Sequence, residues 1–199
     1  MSTITPAQLM PTPAPWASPD LYRLRVDEYE RMAGVLDDPR VELIDGYLVK
    51  KMGKKPPHIW AVESLLTALT TVLPPGWFCR KEDPVRIPDF DEPEPDIAVV
   101  RGPREAYRGR IPESKDLALL VEAAETTLER DRGPKLSAYA KGVIPVYWIV
   151  NLIDGQVELY SDPAPEGYRS VQIFKPGQEV PVVIDGVEAG RIAAAGILP

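Results

Sequence analysis

Apolar residues fall along this chain in short runs separated by turn residues, with one longer stretch at helical spacing. DIAVV at 96–100 and LALLVEAA at 117–124 are nearly continuous apolar runs bounded by turn signals, the pattern of interior strands. Asp45-Gly46, set between apolar runs in VELIDGYLVK, predicts a β-hairpin. Pro56-Pro57 ends it, and Val62, Leu65, Leu66, Leu69, Val72 and Leu73 then repeat at helical spacing as far as Pro74, predicting a long helix that packs on a sheet. A shorter helix is expected from Asp27 to Met32, ending near Gly34. WFCRK predicts a strand, with a second around Val85. Asp131 reads as the N-cap of a helix ending at Gly142. VYWIVNLIDGQVELYSD is a second strand–Asp-Gly–strand unit, and further strands are expected around Val171 and Val182. Prolines at 6, 11, 13, 15 and 19 predict a flexible arm over residues 1–19, ahead of a single domain over 20–199.

The two interior strands each carry one carboxylate, Asp96 and Glu122. A charge inside an apolar strand costs several kcal/mol or loses its ionisation unless a cation answers it. An antiparallel register that sets Asp96 against Glu122 also pairs Val100 with Ala118, so the two carboxylates stand side by side. Two such groups repel, and a divalent cation held by one or two carboxylates resolves the conflict. Pro93 and Pro95 keep the approach to Asp96 extended. Asp131, Lys135 and Tyr139 follow at four-residue steps, on one helical face. If that face looks onto Glu122, Lys135 reaches a metal-associated water and Tyr139 a hydrogen bond nearby. The residues alone leave the plainer reading open, in which Glu122 meets an arginine and Lys135 meets Asp131 at i, i+4.

ELIDG at 42–46, PPH at 56–58, PDIAVV at 95–100 and VEAAETTLERDRGPKLSAYAKGVIPVYWIVNL at 121–152 together resemble the Uma-two family of restriction-endonuclease-like proteins, a branch of the PD-(D/E)XK nuclease superfamily. The resemblance covers about residues 20–160. It implies an α/β (α+β) restriction-endonuclease-like fold, a mixed β-sheet flanked by helices, here with β-hairpin additions. It also implies a Mg²⁺- or Mn²⁺-dependent phosphodiesterase site and a homodimer. The superfamily's usual lysine stands two residues after the acid, where this chain has Ala124. The resemblance therefore assigns that role to Lys135, with Asp96 and Glu122 as the metal ligands and Asp96, Glu122 and Lys135 as the catalytic set.

Charge pulls against a nucleic-acid partner. The chain of 199 residues has a net charge of −7, whereas nonspecific nucleic-acid affinity comes mostly from cationic neutralisation of phosphate. Local clusters soften the objection: Lys50, Lys51, Lys54 and Lys55 fall together, and Arg101, Arg104, Arg108 and Arg110 populate a long loop whose first three arginines are candidate phosphate contacts. Glu42 is a candidate peripheral acid of the site or an exposed strand residue, and Glu63 reads as exposed. His58, the only histidine, reads equally as a capping residue or as an active-site group that contacts phosphate or moves a proton. One histidine and one cysteine make a zinc site a poor fit, and Cys79 reads as a buried, inert thiol. Phosphate-loop, dinucleotide, zincin and serine-hydrolase motifs are missing from the sequence. No apolar run reaches transmembrane length, and no signal-peptide pattern opens the chain, so a cytoplasmic protein is expected. The leading expectation is a metal-dependent endonuclease acting on nucleic acid, DNA first. The alternatives are a nuclease fold without activity that binds nucleic acid or a protein partner, and a protein-interaction domain that touches no nucleic acid.

Overall fold

A computed structural model describes residues 16–33, 35 and 41–199. The proline-rich residues 1–15 and the expected helix stop at Gly34 lie outside the described residues. Helix α1 (Val26–Ala33) is followed by the hairpin β1 (Val41–Ile44) and β2 (Tyr47–Lys50), and by the long helix α2 (Pro56–Val72). Then come β3 (Trp77–Lys81), β4 (Ile97–Arg101) and β5 (Leu117–Ala124). Short helices α3 (Leu128–Arg130) and α4 (Leu136–Lys141) flank a π-helical turn at Asp131–Lys135. Five strands close the chain: β6 (Val146–Asn151), β7 (Gln156–Ala164), β8 (Gly167–Phe174), β9 (Glu179–Ile184) and β10 (Val187–Ala193).

Six strands form one mixed sheet in the order β3-β4-β5-β6-β7-β8. Its one parallel pair, β5 with β6, needs a crossover, and the segment carrying α3 and α4 supplies it. β5 is buried along its whole length, which explains its run of apolar residues instead of an alternation. Side chains alternate between two packed layers. Ile97, Val99, Leu119, Val121, Val146 and Trp148 pack with α2 and the separate β9–β10 hairpin. Ala98, Val100, Leu120, Ala124, Tyr147 and Ile149 pack with Leu128, Leu136 and Tyr139. The architecture is therefore the mixed α+β sheet flanked by helices that the sequence leads one to expect.

Three local expectations need correction. Val85 belongs to no strand: residues 82–96 form an irregular connection with isolated bridges at Ile87–Asp91 and Leu43–Glu92. Val85 and Ile87 alternate because they are tucked against the tyrosine-rich layer, and Pro84 and Pro88 deny the segment a continuous ladder. Asp131 is not an N-cap, because helical structure begins three residues earlier, at Leu128. Pro134 lies inside the π-helical turn; lacking an N–H, it cannot close an α-helical bond, and the turn widens around it. Finally, Ile97, Ala98 and Val99 pair with Val121, Leu120 and Leu119 in the predicted register, but a bulge then sets Val100 against Leu117 instead of Ala118. Among the described residues no helix is long and apolar enough to cross a membrane.

Candidate active site

The register places the site at one end of the sheet. Extending the Ile97–Val121 pairing by one residue brings Asp96 opposite Glu122. Both share strand parity with residues of the layer under α3 and α4, so both side chains lie on the side that the crossover covers. Asp96 is fixed through one oxygen, since the Ala123 amide donates to its Oδ2 at 2.8 Å. Its Oδ1 lies 3.2 Å from His58 Nε2 and 3.9 Å from Lys54 Nζ. The His58 contact is near but off the line of a straight N–H···O bond, so Nε2 lacks a directed partner.

Glu122 is held from the crossover helix. Lys135 Nζ donates to its Oε1 at 2.8 Å and the Tyr139 hydroxyl donates to the same oxygen at 2.7 Å. Among the described residues no hydrogen bond falls on Oε2. Lys135 Nζ also lies 3.2 Å from Glu42 Oε2, and Arg130 stands 3.5 Å from Glu42 Oε1. Glu42 is 2 % exposed, so it belongs to this cluster and not to an open strand surface. Asp131, which is also buried, accepts a bond from the Thr127 hydroxyl at 2.6 Å.

Charge in this cleft does not balance. A cavity of about 450 Å³ is lined among the described residues by seven carboxylates, Glu42, Glu82, Glu94, Asp96, Glu122, Glu125 and Asp131, and by four fixed cations, Lys51, Lys54, Arg130 and Lys135, together with His58. The titration shifts record the deficit. Burial pushes the Glu122 carboxyl well above its ordinary range; Lys135 pulls it back, while Asp131, Asp96 and Glu42 drive it further up. Burial likewise pushes Asp131 up to about 6, against the pull of Lys135. Asp96 goes the other way: burial works against its charge, but His58 and the Ala123 amide outweigh it and hold the carboxyl below the usual range. Burial also disfavours a charged His58 ring, yet Asp96 prevails and raises its pKa. Lys135 is raised too, because Glu122, Glu42 and Asp131 overcome its burial.

One carboxylate is thus ionised and its neighbour is short of positive charge, which is the donor chemistry of a hard cation. Among the described residues no three His, Cys, Asp or Glu side chains already converge on one point as a metal cage. Mg²⁺ does not require one, since it keeps several waters and takes one or two protein carboxylates. Asp96 Oδ1 and Glu122 Oε2 are the oxygens available to it, so the residues fit such an ion.

The three candidate phosphate-contacting arginines lie elsewhere. Arg101 stacks over Trp77 at 4.4 Å and bonds Asp185 at 2.7 Å, away from the cleft. Arg104 and Arg108 line a second cleft of about 680 Å³ with Arg80, Lys81, Phe78 and Tyr107. The lysine cluster is nearer: Lys51 pairs with Glu94, Lys54 with Glu82 and Lys55 with Glu125, all on the rim of the acidic cleft. Glu63 is exposed and pairs with Lys81. Cys79 is half-buried, and burial pushes its thiol up to about 11, so it is unreactive.

Sequence reasoning passed over Arg130, Asp131 as a site acid, Glu94 and Thr127. A signal was present for Arg130, which stands five residues before Lys135, but without the widened turn its direction was not readable.

No curated protein matches this chain. Among solved structures, one described as a "putative nuclease belonging to DUF820 from Anabaena variabilis" superposes with a TM-score of 0.64 at 18 % identity, covering 87 % of this chain and 97 % of that one. At that identity the likeness speaks for the fold. A family model is more direct: Uma2, described as "Putative restriction endonuclease", matches residues 26–193, which take in both sheet carboxylates, the crossover helix and the closing hairpin. With that span matched over one continuous stretch, the chain belongs to the Uma-two family of restriction-endonuclease-like proteins.

Proposed function

We propose that this protein is a divalent-cation-dependent endonuclease of the PD-(D/E)XK type that hydrolyses phosphodiester bonds in DNA. The observation that carries the reading is the meeting of two strand carboxylates, Asp96 and Glu122, with a lysine delivered from the crossover helix. Asp96 and Glu122 would hold Mg²⁺ or Mn²⁺, which would supply Lewis-acid charge for the phosphate and lower the pKa of a nearby water.

The chain's own residues do the rest. The Ala123 amide fixes Asp96 in an orientation that leaves Oδ1 toward the cleft. Tyr139 and Lys135 together hold Glu122 through Oε1. An ammonium has three donors. Lys135 donates one of them to Glu122 and pairs by charge with Glu42 at 3.2 Å, so a donor is available to orient the attacking water or to steady charge gathering on the phosphoryl oxygens. Lys51, Lys54 and Arg130 set positive charge at the rim, where it draws a phosphate backbone toward an otherwise acidic cleft. The homodimer suggested by the family resemblance belongs to the same proposal.

The test is incubation of the purified protein with plasmid DNA and with RNA, in Mg²⁺, in Mn²⁺ and in chelator. Metal-dependent nicking that disappears in Asp96→Ala supports the reading. An Asp96→Ala protein that still cuts at the wild-type rate would refute the assignment. DNA bound without cleavage by folded protein in either metal would favour the inactive binding module, a reading motivated by the alanine at position 124.

A further inference from the structure

His58 is the least explained polar group in the cleft. It sits in the first turn of α2, over the end of the sheet where Asp96 and Glu122 meet. Its Nδ1 lies 2.9 Å from the carbonyl oxygen of Ala123. A carbonyl only accepts, so Nδ1 carries a hydrogen and donates it. That bond fixes the ring plane and leaves Nε2 as the atom free for other work. Nε2 is buried without a directed hydrogen-bond partner, on a residue that lines the acidic cleft, 3.2 Å from Asp96 Oδ1.

The spacing is informative. Two ligand atoms each about 2.1 Å from one ion, in neighbouring coordination positions, lie roughly 3 Å apart. The Nε2–Oδ1 separation is close to that span. A histidine whose second ring nitrogen donates to a backbone carbonyl is also the common arrangement of a metal-ligating imidazole, because the bond selects the tautomer and aims the other nitrogen. Here the carbonyl belongs to Ala123, whose own amide holds the other oxygen of Asp96. One residue of β5 thus positions both donor atoms.

We propose that His58 Nε2 and Asp96 Oδ1 are ligands of the same divalent cation, which makes the centre a mixed nitrogen–oxygen site selective for Mn²⁺ over Mg²⁺. The inference rests on the reading of the cleft as a cation site. Its basis is ligand chemistry: Mg²⁺ takes oxygen and water, whereas Mn²⁺ accepts the same carboxylate and water ligands and, as a first-row transition ion, gains more from an added imidazole nitrogen. The competing role for the same geometry is that of a brace, in which the ring pairs with Asp96 and never touches the ion.

The experiment uses the full chain, loaded with Mn²⁺ alone. Pulsed electron paramagnetic resonance of the wild-type protein should show ¹⁴N coupling from one imidazole. Calorimetric titration should show Mn²⁺ binding tighter than Mg²⁺. In His58→Ala the coupling should vanish and Mn²⁺ affinity should fall by more than the roughly 10–100-fold that losing an outer partner of a metal ligand costs, with a smaller change for Mg²⁺. Mn²⁺ bound in an Asp96-dependent manner without nitrogen coupling in the wild type would overturn the proposal and leave the cation site standing. Equal loss of both ions in His58→Ala would do the same and would assign the brace. A wild-type protein that binds neither ion would overturn this proposal together with the cation reading beneath it. The wild-type spectrum decides even if the variant fails to fold.

Discussion

Lys135 is the residue on which the most local physics converges. It is buried between Glu122 and Glu42, and its removal strands two carboxylates in a site already short of positive charge. Breaking a buried ion pair by deleting one partner costs about 3–5 kcal/mol. Lys135→Met should therefore unfold at clearly lower urea than the wild type and should not cleave DNA. The loss should depend on pH. Burial already places the folded-state pKa of Glu122 above its unfolded value, so its ionisation weakens the fold as pH rises from the ordinary value of about 4.5 through the folded-state pKa. Without Lys135 that pKa rises further, and the deficit should be larger at pH 8 than at pH 4.5. Urea titrations at both values check this, and a deficit independent of pH would contradict it. Asp96 and Glu122 could be singled out in the sequence because apolar strand neighbours make a charge there expensive, whereas Lys135 was reached through its four-residue spacing from Asp131 and Tyr139 and through the family resemblance. Glu42 could not be placed, because a four-residue strand gives no way to tell its buried face from its exposed one.

At the scale of elements, two packing contacts decide how the site is framed. The helix that carries Lys135 and Tyr139 ends at Gly142, where an added Cβ would sit 2.6 Å from Ile87 Cγ2. The backbone there is ordinary, so crowding alone forbids a side chain. Gly142→Ala should destabilise by about 1–3 kcal/mol, the usual range for overpacking a filled site, and thermal unfolding measures it. The β1–β2 hairpin that supplies Glu42 is docked by Asp91, whose Oδ1 accepts the Asp45 amide at 2.6 Å. Burial pushes the Asp91 carboxyl up to about 6. A carboxyl raised in the folded state weakens the fold as pH climbs from its unfolded value toward that figure. Asp91→Asn keeps the acceptor and removes the charge, so it should gain on the wild type between pH about 4 and about 6, by on the order of 2–3 kcal/mol at most. Melting curves across that range test it, and parallel pH profiles would contradict it. The hairpins, the long helix and the interior strands were legible in the sequence because turn chemistry and hydrophobic period agreed. The Val85 segment was misread because a buried connection shows the same alternation as a strand. The widened turn at Pro134 was hidden because Asp131, Lys135 and Tyr139 at four-residue steps read as one ordinary α-helix.

The whole molecule carries a net charge of −7, and its basic side chains lie in patches beside an acidic cleft. Binding to DNA should accordingly be weak without a divalent cation and should depend on few ionic contacts. On the proposed function, the second cleft, with Arg104 and Arg108 beside Phe78 and Tyr107, would supply those contacts beyond the scissile group. Arg108→Ser should weaken binding equally across sequences and reduce the slope of log affinity against log salt by about one. Fluorescence anisotropy over a salt series measures that slope, and an unchanged slope would remove Arg108 from the substrate path. The antiparallel pairing of the two interior strands and the meeting of their carboxylates could be anticipated from the chain. The division into two clefts could not, because it depends on how the 101–116 connection folds back on the edge strand β3.

The central claim is that Asp96 and Glu122 hold a catalytic cation, and calorimetric titration of Mg²⁺ and Mn²⁺ into wild-type and Asp96→Ala protein, alone and with a short DNA duplex, tests it most directly. Binding should be seen in the wild type and disappear in Asp96→Ala, with cleavage of the duplex by the same wild-type samples. If neither protein binds an ion even with DNA present, the two carboxylates are structural and the fold serves something other than hydrolysis.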